Sequence, residues 1–87
     1  MKIFKYPVPI KPEFTLEMPM YAKVIAYQVQ GGMPVTWAEV EETNDKVERK
    51  FITLGTGHEA PEFTGAHIGT IQLDGLVWHL YESREYN

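Results

Sequence analysis

The spacing of proline and glycine constrains this chain more than any other feature. Six prolines and seven glycines interrupt 87 residues. Pro7, Pro9, Pro12 and Pro19 exclude a regular helix from the first twenty residues, because proline lacks the N–H and clashes with the preceding turn. Gly31-Gly32 and Asp74-Gly75 each lie between β-rich runs, where a two-residue hairpin needs positive φ at both central positions. Short alternating runs between these breaks read as strands at residues 3–6, 14–18, 23–30, 35–40, 47–54, 68–73 and 76–82. Prolines on both sides mark the second as a sheet edge. In the third, strict alternation places Ile25, Tyr27 and Val29 on one face and Val24, Ala26 and Gln28 on the other. Residues 58–66 read as a loop. The expected architecture is a single mainly β domain over residues 1–87, a small antiparallel β-sandwich or barrel of about seven short strands.

One stretch supports a competing reading. Residues 35–54 contain neither proline nor glycine, and Trp37, Val40, Asn44, Val47, Phe51 and Leu54 follow a three-four spacing. Thr36 and Glu39 also fit a capping box. The β-branched content and the Asn44-Asp45 turn pair favour two strands joined as a hairpin over a helix.

Composition narrows the function classes. With 44% apolar and 23% charged residues the chain has the makings of a folded domain. The absence of cysteine removes disulfides, thiolate ligands and thiol nucleophiles, which suits a cytoplasmic setting. No run approaches the roughly 20 apolar residues of a membrane helix. A net charge of −4 disfavours nucleic-acid backbones, so neither nucleic acid nor membrane is an expected partner. A chain this short buries only about 60–65% of its unfolded surface, which makes a homo-oligomer the expected state.

The most suggestive local run is Gly55-Thr56-Gly57-His58, whose glycines let backbone amides approach an anion while Thr and His add hydrogen-bonding groups. Arg49 and Lys50, just upstream, offer positive charge to the same region. The plainer reading is a glycine-rich strand exit with a solvated histidine. Trp37 and Trp78 are candidates to stack on a planar ring, with core packing as the alternative role. The candidate ligand-binding set is therefore Arg49, Lys50, Gly55, Thr56, Gly57, His58, Trp37 and Trp78. His58, His67 and His79 lack the compact spacing of metal ligands. The lone serine, Ser83, has no nucleophile-elbow context. No catalytic residue, metal or cofactor is expected.

The run Met1-Lys2-Ile3-Phe4-Lys5-Tyr6-Pro7-Val8-Pro9-Ile10 carries a resemblance, together with Glu17-Met18-Pro19, residues 28–32, Trp37-Ala38, residues 55–58 and residues 68–75. Across nearly its whole length the chain resembles a family of short uncharacterised bacteriophage and prophage proteins. That resemblance implies action in the host cytoplasm. It also implies a non-enzymatic protein that sequesters a nucleotide-derived host signal as a homo-oligomer, an anti-defence sponge. The alternative is a protein-interaction module that inhibits a host protein or serves as a minor phage structural component.

Overall fold

The computed structural model describes residues 1–85. Seven strands follow in order: β1 Lys2–Pro7, β2 Glu13–Pro19, β3 Lys23–Gln30, β4 Met33–Val40, β5 Lys46–Gly55, β6 Thr64–Leu73 and β7 Leu76–Ser83. Every pairing is antiparallel. The strands form a three-stranded sheet, β1-β4-β3, and a four-stranded sheet, β2-β5-β7-β6. The architecture is a two-sheet sandwich without a closed barrel.

Both hairpin turns form where their sequences require. Gly31 and Gly32 have φ of 57° and 79°, and Asp74 and Gly75 have φ of 52° and 78°. Two consecutive left-handed residues match the strand twist across a two-residue loop. As its prolines suggest, β2 is an edge strand.

Residues 35–54 are neither a helix nor a hairpin. β4 pairs with β1 and β3, whereas β5 pairs with β2 and β7, so the polar residues 41–45 carry the chain from one sheet to the other. The three-four spacing marks no common face: Val40 and Phe51 face the shared core from opposite sheets, Trp37 lies on the outer face, and Asn44 falls between the strands. Strict alternation also fails in β3, where an irregularity at Ile25 lets Val24 pair with Ala38 and Ala26 with Trp37. Val24 and Tyr27 therefore both pack inward, the signature of one extra residue. The presumed loop 58–66 is shorter than expected. β6 begins at Thr64, and register shifts around His67 hide its period from the sequence.

Val8, Met18, Tyr27, Ala38, Val40, Phe51, Ile71 and Leu80 fill the interior. Phe14 stacks on Phe51 with ring centroids 5.5 Å apart. At one side of the sandwich β6 runs close against β3. A Cβ built at Gly69 would lie 2.9 Å from Tyr27 Cβ, so this approach requires glycine. Among the described residues, the hydroxyls of Tyr27, Thr36, Thr53 and Thr64 are buried without hydrogen-bond partners.

Candidate functional site

The end of β5 gathers most of the run singled out in the sequence. His58 N–H donates to Gly55 O at 3.0 Å, closing a four-residue turn. Gly57 holds its third position at φ 91°, the left-handed conformation that a type II turn needs there. In return Gly55 N–H donates to His58 Nδ1 at 3.2 Å. The neutral ring then carries its proton on Nε2, leaving one N–H free to donate. Trp78 stands opposite Gly55 in the β5–β7 ladder. A Cβ at Gly55 would meet His58 Cε1 at 2.8 Å and Trp78 Cζ3 at 3.2 Å, so only glycine lets both rings settle over the strand.

Of these residues His58 and Trp78 border a cleft of about 300 Å³, whose apolar walls come from Ile10, Pro12, Ile52, Leu54, Pro61 and Trp78. Thr53 also lines it, and its hydroxyl is among the buried groups without a partner. The polar residues around it are Lys11, Glu13, His58 and Glu59, an excess of one negative charge. Walls of this kind suit an uncharged ring, and the volume sits at the lower end of small-molecule sites.

The remaining candidates lie elsewhere. Arg49 is six residues from Gly55 along β5, about 20 Å at the strand rise of roughly 3.3 Å per residue. Its guanidinium donates twice to the Glu82 carboxylate, at 2.7 and 2.8 Å, and once to Ala22 O at 2.5 Å. Burial pushes the Tyr6 phenol above its usual pKa while Arg49 pulls the other way, consistent with the guanidinium reaching toward the opposite sheet. Lys50 pairs with Glu85 at 3.1 Å and Glu13 at 4.0 Å. Both charges are thus engaged within the chain. Trp37 occupies the outer face of the three-stranded sheet and donates from Nε1 to Gln28 Oε1 at 2.7 Å. The expected ligand set separates into three places: Gly55, Gly57, His58 and Trp78 stay together at the end of β5, and of them only His58 and Trp78 line the cleft. Thr56 turns outward.

Thr56 belongs to a polar chain that sequence reasoning missed as a connected set. Its Oγ1 meets His79 Nε2 at 2.9 Å, and His79 Nδ1 meets Thr70 Oγ1 at 2.9 Å. Thr70 Oγ1 lies 3.3 Å from His67 Nε2, and the His67 ring is 5.0 Å from that of Tyr81. Alternation in β7 pairs His79 with Tyr81 on one face, but the partners come from the strand register. Among the described residues no three His, Cys, Asp or Glu side chains converge as a metal site.

Fold and cleft together define an all-β antiparallel sandwich with a small apolar cleft at one end. The chain belongs to the DUF7352 family, a domain of unknown function whose family model matches residues 1–87. No curated protein and no solved structure shows significant similarity to it.

Proposed function

We propose that this chain is a non-enzymatic binding domain that holds the ring of a nucleotide-derived ligand in the end cleft. The biological setting proposed with it is a phage protein sequestering a host signal in the host cytoplasm. The observation that carries the reading is an indole wall in one apolar cleft that is also lined by Thr53, whose hydroxyl is buried and unpartnered behind the cleft surface. A buried hydroxyl without a partner costs about 1–3 kcal/mol, and a ligand toward which the Thr53 side chain rotates to hydrogen-bond recovers part of that. The free Nε2–H of His58 supplies a donor at the margin, and Trp78 offers an aromatic surface. Phosphates gain little here, because Arg49 and Lys50 are paired elsewhere and Glu13 and Glu59 outnumber Lys11. Most of the affinity should therefore reside in the base or nucleoside part.

The test is calorimetric titration with cyclic and ADP-ribose-type nucleotides alongside the matching nucleosides. Binding at micromolar concentration, retained by the nucleoside and weakened about tenfold in Thr53→Val, is the expected outcome. The reading is wrong if no member of the panel binds at that concentration. The alternative, a module that inhibits a host protein or forms a minor phage structural piece, is favoured by a displayed aromatic side chain, Tyr21, away from the cleft.

A further inference from the structure

Tyr21 is the most unusual residue in the molecule. It is 86% exposed and sits at φ 68°, a left-handed conformation that bulky side chains rarely adopt. The turn that holds it spans Pro19 to Ala22, closed by Ala22 N–H donating to Pro19 O at 3.1 Å. Tyr21 fills the third position, where glycine or asparagine is ordinarily found. The strain is held in place from outside. Met20 N–H donates to Asp45 O at 2.8 Å, and Asn44 Nδ2 donates to Met20 O at 2.9 Å. A strained, pinned backbone that displays a tyrosine and buries almost none of it gains nothing for the monomer.

Beside this knob lies an open groove of about 450 Å³ lined by Tyr21, Val47, Arg49, Lys50 and Glu82. Its Arg49 guanidinium is fixed by two bonds to Glu82 and one to Ala22 O, with 19% of the Arg49 side chain and 31% of the Glu82 side chain exposed at the groove as a pre-organised planar pair. Glu48, Glu82 and Glu85 outnumber Arg49 and Lys50, so the groove carries a small negative excess. Lys23, two residues beyond Tyr21, makes no ion pair among the described residues. The exposed knob and the open groove beside it occupy one patch of the same chain, which is the requirement for an isologous two-fold interface.

We infer that two copies of this chain pair about a two-fold axis, with Tyr21 of each stacking over the Arg49–Glu82 pair in the groove of the other. Exposed Met20 and Met1 border Tyr21 and extend the apolar contact. The patch adjoins the first half of β5 and the cleft its last residues, so pairing and ligand capture use different residues.

Sedimentation velocity of the full chain across micromolar to sub-millimolar concentration tests this directly. A reversible monomer–dimer equilibrium is expected, kept by Tyr21→Phe and weakened at least tenfold by Tyr21→Gly. Glycine accepts the left-handed φ, so the thermal midpoint of Tyr21→Gly should equal or exceed that of wild type at a concentration where both are monomeric. A wild-type chain that stays monomeric throughout, or a Tyr21→Gly variant that dimerises as well as wild type, overturns the inference.

Discussion

Gly69→Ala probes the close approach of β6 to β3 at one side of the sandwich. The added Cβ would sit 2.9 Å from Tyr27 Cβ, 3.4 Å from its N and 3.6 Å from its Cα. These atoms belong to the β3 backbone or are bonded directly to it, so no rotamer change relieves the clash. Overpacking ordinarily costs about 1–3 kcal/mol, and a rigid neighbour places this case in the upper half of that range. Alanine returns about 0.4–1 kcal/mol by restricting the unfolded chain. The net loss is then about 1–2.5 kcal/mol, or roughly 5–20 °C in Tm for a domain of this size. Thermal unfolding followed by circular dichroism measures it. Gly55→Ala is the internal comparison, because its contacts are the His58 and Trp78 rings rather than backbone, so it should cost less than Gly69→Ala even though the His58 hydrogen bond to Gly55 N–H is lost. An unchanged or raised Tm for Gly69→Ala would mean that β6 does not lie against Tyr27, and the closure of that side would be refuted.

Two further outcomes follow from buried polar groups. Burial pushes the Tyr27 phenol up to about 12. Below pH 10 the native and unfolded chains both keep that proton; between 10 and 12 only the native chain does, so stability falls as pH rises through this window. Tyr27→Phe removes an unpartnered hydroxyl, and it should raise stability by about 1 kcal/mol at pH 8 and flatten the alkaline decline. Urea unfolding at pH 8 and 11 reads both effects, and a Phe variant clearly less stable than wild type would contradict the buried-orphan account. Glu82→Ala strands the Arg49 guanidinium in a half-buried position and should cost about 1–3 kcal/mol in the same assay. A loss below about 0.5 kcal/mol would place the pair among ordinary surface ion pairs.

Much of the secondary structure was legible because its signals are local. Gly31-Gly32 and Asp74-Gly75 state their turn chemistry within two residues, and the turns have the positive φ values it requires. The edge position of β2 follows from the prolines beside it. Misreadings arose where the period itself changes. The irregularity at Ile25 reverses the faces of β3, and the two shifts around His67 conceal the start of β6. An extra residue in a strand carries no compositional mark when the residue is an ordinary isoleucine or histidine.

The candidate site was legible in part for the same reason. Gly55, Gly57 and His58 form one turn and could be grouped from sequence, whereas Arg49 and Lys50 were assigned to it by proximity along the chain. A strand extends by roughly 3.3 Å per residue, so neighbours in sequence within β5 separate quickly in space. Their engagement by Glu82, Glu85 and Glu13 depends on the β5–β7 and β2–β5 registers. Trp37 and Trp78 are both aromatic residues on strands, and only sheet membership puts one outside the three-stranded sheet and the other beside the cleft.

By itself, then, the sequence determined seven extended segments, two hairpins and the absence of thiol chemistry, since each rests on backbone constraints or residue inventory. Tertiary structure decided the rest. It sent β4 and β5 into different sheets, set Gly69 against Tyr27, occupied Arg49 with Glu82, and left the Thr53 hydroxyl buried without a partner among the described residues. These outcomes depend on which strands pair and in what register, and such pairings are settled by burying one shared core rather than by any local preference.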